Sequence, residues 1–220
     1  MSASRPLVSV ITPTWRRPEL LAECVANVRA QTYRPLEHVV VSDGEDADLA
    51  LRLVCMREDR ESCSHYVFPF NSDVVIRSVQ LGRNWSTFLD NSFCAAPLTV
   101  GMLVARGDYQ MWLADDERMA PDHVESLVGA LEASGADFAY SRVLVYRNGQ
   151  SERDGYVIGT SPPRLGEITN VLYRTELLKH GLYPFNAGMT SDWACISRWM
   201  SYGAKHAFVD RVTLTHRADH

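Results

Sequence analysis

The stretch Met111-Trp112-Leu113-Ala114-Asp115-Asp116-Glu117 sets consecutive carboxylates directly behind an apolar run that reads as a buried strand. Carboxylates on such a loop suit oxygen ligation of Mg²⁺ or Mn²⁺, because the sheet fixes the backbone while the side chains reach solvent. Adjacent carboxylates also repel each other by roughly 4 kcal/mol at about 4 Å and an effective dielectric near 20, a strain that a cation relieves. The plainer alternative is a solvated acidic turn before a helix that begins near Pro121.

Two other apolar runs end the same way: residues 7–11 close on Thr12-Pro13-Thr14, and residues 36–41 on Ser42-Asp43-Gly44. Ligands of parallel sheets bind beyond the carboxyl ends of the strands, near the point where strand order reverses, so the coincidence of three polar ends carries more than any one of them. Asp43 either accepts hydrogen bonds from a nucleobase or ribose edge or bonds its own backbone ahead of Gly44. No phosphate-loop or dinucleotide glycine motif follows the first strand, so a bound nucleoside diphosphate is left to a metal and isolated basic groups. Arg16 and Arg17 either face such a phosphate or are solvated charges at a helix start.

The elements that position these groups show in the hydrophobic pattern. In residues 18–30, Leu20, Leu21, Cys24, Val25 and Val28 recur at helical spacing, with Pro18 acceptable in the first turn. Strand, helix and strand in succession imply a right-handed parallel crossover. Residues 46–57 suit a second helix, 74–80 a third strand, 99–105 a helix and 109–113 a strand, an alternation that predicts an α/β, Rossmann-like fold with a mainly parallel central sheet flanked by helices. Farther on, 138–146 and 152–158 read as strands around Asn148-Gly149, a hairpin signal, and 160–164 as a loop. A helix is expected over 193–202 and short strands over 207–209 and 212–215.

The chain has 220 residues and is 46% hydrophobic, enough for one sizeable core, and no linker or repeat divides it, so a single domain over 1–220 is expected. A net charge of -5 argues against broad nucleic-acid or anionic-membrane binding. No apolar run approaches the roughly 20 residues that span a bilayer, and the N-terminus lacks a signal-peptide core; the expectation is a soluble, cytoplasmic protein without an integral membrane segment. Five cysteines without paired spacing disfavour a disulfide framework and a zinc site. Of the five tryptophans, Trp112 and Trp199 sit in core patterns, whereas Trp193 beside Asp192 is either a further core residue or one that lines the acceptor site.

Two longer blocks, VSVITPTWRRPELLAECVANVRAQTYRPLEHVVVSDG (8–44) and ARGDYQMWLADDERMAPDHVESLV (105–128), together resemble the family 2 glycosyltransferases of the GT-A fold. The likeness runs from Val8 to about His216. It implies an inverting, metal-dependent transfer of a sugar from a nucleoside-diphosphate sugar, a UDP-sugar before others, to an acceptor hydroxyl, with Mn²⁺ or Mg²⁺ as cofactor. On this resemblance residues 7–116 form the nucleotide-sugar-binding half and 117–220 the acceptor-side half. Thr12, Pro13, Thr14 and Asp43 match the nucleoside-holding segments, Asp115 the first retained carboxylate, and Asp116 the metal-binding one. Ala114 stands where many members have a further Asp.

Ser191-Asp192-Trp193 resembles the acidic sequence that opens the acceptor-side helix, which makes Asp192 the candidate general base; by its own position it also suits a helix N-cap. Thr215-His216-Arg217-Ala218-Asp219-His220 resembles the element that closes the nucleotide site, with His216 as metal or phosphate ligand and Arg217 offsetting diphosphate charge. Pro97-Leu98-Thr99 replaces the family's Ala-Arg-Asn, and Arg83 is the candidate to supply the missing charge. Two other readings stay open: a nucleotidyltransferase, which shares the sheet and acidic loop, and a non-catalytic nucleotide- or glycan-binding module of the same fold.

Overall fold

The computed structural model describes residues 4–45, 74–82, 94–147, 150–165, 170–183 and 191–218. The expected helix over 46–57, the Asn148-Gly149 turn, Arg83 and His220 lie outside these residues.

Strand β1 (Val8–Thr14) is buried along its whole length, as is β2 (Leu36–Ser42), which fits β-branched runs covered on both faces. Between them runs helix α1 (Pro18–Arg29), with Pro18 in its first turn, where a missing N–H costs nothing. Strand β3 (Val74–Gln80) pairs parallel with β2, and β4 (Tyr109–Trp112) pairs parallel with the other edge of β1. Helix α2 (Ala95–Val104) precedes β4 and begins one turn earlier than its sequence pattern indicates, because Pro97 falls in the first turn. It packs so tightly that a Cβ on Gly101 would stand 2.3 Å from Cγ2 of Ile11.

After β4 the sheet turns mixed. With β5 (Glu117–Met119), β6 (Phe138–Arg147), β8 (Leu172–Arg174) and β9 (His206–Ala218), the order is β3-β2-β1-β4-β8-β6-β9-β5, and β7 (Tyr156–Ile158) lies alongside β6. Strand β8 (Leu172–Arg174) pairs antiparallel with both β4 and β6, and β9 (His206–Ala218) runs parallel to β6. The expected break near residue 210 in β9 is a bulge: Val209 faces Ser141 and Val212 faces Arg142, so the strand continues across two extra residues. In the expected strand over 152–158, Glu152–Asp154 form a 3₁₀ turn and only the last three residues pair with β6.

Helix α3 (His123–Ser134) ends at Gly135, whose φ of 64° closes the last turn in the left-handed region. With α1 it covers one sheet face, packing Cys24, Val28, Val124, Leu127 and Leu131 on Val8 and Val10. The other face carries α2 and helix α4 (Ser191–Ser201), which bring Leu98, Met102, Ile196 and Trp199 onto Ile11 and Val39. Trp112 and Trp199 are core residues there, 6.1 Å apart between ring centroids, while Trp193 is half-buried against the same cluster. Strand order reverses between β1 and β4, so a crevice for a ligand opens beyond Thr14 and Trp112.

Candidate active site

The β1–α1 loop, the loop after β4 and the strand pair β5–β9 converge at that crevice. Thr14 Oγ1 donates a hydrogen bond to Asp115 Oδ2 at 2.7 Å, locking the end of β1 to the acidic loop. Arg17 Nη1 bridges Asp115 Oδ1 at 3.2 Å and Asp116 Oδ2 at 3.1 Å. The local backbone makes this reach: Arg16 adopts φ 50° and lays its guanidinium over the Trp15 ring, while Arg17 turns toward the acids. Neither alternative that the sequence left for this pair describes Arg17, which stands on the acidic pair as a built-in counter-charge. Burial pushes the Asp115 carboxyl up, and the Thr14 hydroxyl and Arg17 oppose that rise.

Thr12 points inward. Its hydroxyl, fully buried, lies 2.9 Å from His38 Nε2 and 3.5 Å from Cys24 Sγ, so Thr14 presents the hydroxyl nearest the acids and Thr12 contributes to the crevice through its backbone. Pro13 is buried between them. Asp43 is buried at the end of β2, where its N–H donates to the Thr14 carbonyl at 2.9 Å; the turn itself is held by Ser42 Oγ, which donates to the Gly44 carbonyl. Cys94, just before α2, is exposed as a residue, but its thiol is desolvated, and with the negative charges of Asp115 and Asp43 that pushes it up to about 12. The influence of both acids on one thiol marks a shared neighbourhood for Asp43 and Asp115.

A three-residue strand, β5 (Glu117–Met119), follows the acidic loop directly and pairs antiparallel with β9, setting Glu117 opposite His216. Glu117 shows in the sequence only as the third member of the acidic run, and β5 carries no signal of its own; the partnership with His216 is found only through this pairing. Glu117 is buried, accepts the Ala114 N–H through Oε2 at 3.0 Å, and lies 3.1 Å from His216 Nδ1 through Oε1. That hydrogen bond is the main cause that raises the His216 pKa, against desolvation. With Nδ1 engaged, Nε2 is left as the ring atom for a cation or phosphate. Arg217 lines a small hollow with Asp115, Asp116, Glu117, Arg118 and Tyr146, so the end of β9 and the acidic loop share one wall.

Asp192 sits in the first turn of α4 and is half-buried. Tyr183 Oη donates a hydrogen bond to its Oδ1. Desolvation lifts the Asp192 carboxyl to about 6, the Tyr183 hydrogen bond opposes the rise, and the charge of Glu117 adds to it. A carboxyl in that range releases and takes up protons near neutral pH, as a general base requires. The charges of Glu117 and His216 both act on Asp192, which is therefore within electrostatic reach of the acidic loop.

Among the described residues no group of three or more His, Cys, Asp or Glu is disposed to hold a metal by itself. The arrangement instead fits a cation shared with a substrate: Mg²⁺ is characteristically held by one or two carboxylates plus substrate phosphate oxygens. Asp116, with Asp115 beside it, offers hard oxygen donors that already hold a cation, the Arg17 guanidinium.

The model of the family described as glycosyl transferase family 2 matches residues 9–68 and 90–192. GlyG, a glycosyltransferase of Streptococcus pneumoniae, is 23% identical over 153 residues, covering 70% of this chain and 44% of GlyG. An uncharacterized glycosyltransferase of Rickettsia typhi is 24% identical over 126 residues, 57% of this chain and 32% of its own length. Among solved structures, S. aureus TarS 1-349 in complex with UDP-GlcNAc superposes with a TM-score of 0.70 at 16% identity, over 97% of this chain and 59% of that one. The mannosyltransferase PcManGT of Pyrobaculum calidifontis, in complex with GDP-Man and Mn²⁺, gives 0.68 at 19% identity, over 97% and 57%. The chain thus spans a third to three fifths of these relatives, and the structural likeness is one of fold, the GT-A fold.

Proposed function

The chain belongs to glycosyl transferase family 2, and from that premise we propose that it transfers a sugar, with inversion, from a nucleoside-diphosphate sugar to an acceptor hydroxyl, using Mn²⁺ or Mg²⁺. One observation carries the reading: the acidic pair Asp115–Asp116 stands at the switch point of the sheet, tied to the end of β1 through Thr14, and the charge of the adjoining Glu117 reaches Asp192, a carboxyl lifted to about 6.

In this reading Thr14 and Asp43 flank the nucleoside, with the backbone of Thr12 and Pro13 beneath it, and Asp115 holds the strand end in place through Thr14. Asp116 and His216 are the residues that would hold the cation, which when bound supplies positive charge to the departing diphosphate. Asp192 removes the acceptor hydroxyl proton as that oxygen bonds to the anomeric carbon; the bond from that carbon to the donor phosphate oxygen breaks, and its electron pair leaves with the diphosphate. Arg217 lines the wall where that charge accumulates, and Arg17, once released from the acids, is within the same loop system. UDP-sugars are the first donors to try, because TarS was solved with UDP-GlcNAc, and GDP-mannose the second, after PcManGT. No helix among the described residues is long and apolar enough to cross a membrane.

The test is release of nucleoside diphosphate from UDP-GlcNAc, UDP-glucose and GDP-mannose with Mn²⁺, compared between the parent and Asp192→Asn. Turnover in the parent and its loss in the variant, with donor binding kept, supports the transferase; donor binding without turnover in either supports a binding module.

A further inference from the structure

We infer that Tyr183 is a positioning residue for the acceptor-side carboxylate: anchored by three separate elements, its hydroxyl fixes one oxygen of Asp192 and so leaves the other to meet the acceptor. The inference rests on the reading of Asp192 as general base and extends it to a residue outside the sequence motifs singled out above.

Tyr183 is 5% exposed, and its ring meets Trp112 edge-on, with centroids 5.5 Å apart and planes at 82°. Trp112 is the last residue of β4, three residues before Asp115. The Tyr183 carbonyl accepts a hydrogen bond from Thr99 Oγ1 of α2 at 3.3 Å. One residue earlier, the Leu182 carbonyl accepts from Arg198 Nη1 of α4 at 3.1 Å, and before that the Gly181 N–H donates to the Leu178 carbonyl at 3.0 Å. The ring is therefore seated on β4, the backbone that carries it is tied to α2 and α4, and its oxygen meets Asp192 Oδ1. Burial holds the Tyr183 phenol well above its ordinary pKa, so it remains a donor at every pH at which the protein is used.

The charged and titratable groups around Asp192 are Glu117 of β5, His216 of β9, Cys195 of α4 and Tyr183 itself. Among the described residues, Tyr183 is the side chain that hydrogen-bonds the Asp192 carboxylate. A hydrogen bond to the ionised form favours ionisation, so Tyr183 keeps a half-buried carboxylate usable as a base near neutrality. It also removes a rotamer choice from Asp192, which a nucleophile-activating base needs for reach.

Tyr183→Phe keeps the ring on Trp112 and removes only the donor. Two readouts apply: the carbon-13 titration of the Asp192 carboxyl in protein without donor, assigned by its absence in Asp192→Asn, and the pH profile of donor turnover with Mn²⁺. The expected result is an Asp192 midpoint about one pH unit higher, an acidic limb of kcat displaced equally, roughly tenfold slower turnover at pH 5 to 6, and an unchanged KM for the donor. An unmoved midpoint together with an unmoved limb overturns the role of Tyr183. Turnover by Asp192→Asn equal to that of the parent overturns instead the base assignment beneath it, so the two failures are told apart. A melting temperature within a few degrees of the parent's shows that any shift is not a folding defect.

Discussion

The two halves of the sheet place their functional side chains by different means. In the parallel half, β2-β1-β4, three strands in register deliver Asp43, Thr14 and the acidic loop to one edge, and the chemistry follows from where regular strands stop. In the mixed half no strand end does this work. His216 arrives through a three-residue pairing, β5 with β9, and Asp192 through a helix start tied back by Tyr183. Regular parallel strands fix a site by their length; the mixed half fixes one by single contacts, so it should be the half where one substitution costs the most function and the least fold.

Asp192→Asn is the largest expected effect. Loss of a positioned base should lower kcat by 10²- to 10⁴-fold with donor affinity kept, measured by steady-state kinetics. The same change should stabilise the fold at pH 8. Asp192 in the folded protein titrates at about 6, above the ordinary aspartate value near 3.9, so between those values the folded state keeps a proton that the unfolded state has released. Stability is therefore lost as pH rises through that window, and the neutral amide escapes the loss, a gain on the order of 1–3 kcal/mol visible in melts at pH 8 but absent at pH 4.

Next, Glu117→Gln should weaken Mn²⁺ binding in the presence of nucleoside diphosphate by about 10- to 100-fold, read by manganese EPR, because it frees the ring orientation of His216. The parallel half should answer in the opposite currency. Gly101→Ala drives a methyl into Ile11 and should cost about 1–3 kcal/mol in urea unfolding, with little change in kcat for the folded fraction. Smallest is Arg211→Ala, which removes an exposed pair with Asp122 and should change stability by less than about 1 kcal/mol in the same titration.

That contrast also explains what could be read from the chain alone. The parallel half was legible because β1, β2 and β3 each carry runs of β-branched residues over seven positions, and 74–80 appears at its expected bounds. The acidic pair and Asp192 were legible as sequence patterns. Strands β5 and β8, at three residues each, are too short for a period to register and exist because a neighbour pairs with them. Glu117 with His216 is a cross-strand partnership over about a hundred residues, invisible without the register. Thr12 and Thr14 share a strand and a residue type, so only packing separates the hydroxyl that binds His38 from the one that binds Asp115. Tyr183 sits in no motif; nothing but the fold brings it to Asp192.

The central claim is that a cation-assisted diphosphate site is built on Asp116. It is tested most directly by melting the parent and Asp116→Ala with UDP and with GDP, each with and without Mn²⁺. A nucleotide at about 100 times its dissociation constant adds roughly 2.7 kcal/mol, several degrees for a chain of this size. The account predicts that one diphosphate raises the melting temperature of the parent only when Mn²⁺ is present, and that Asp116→Ala abolishes the rise. An equal rise in Asp116→Ala, or none in either protein with either nucleotide, would contradict it.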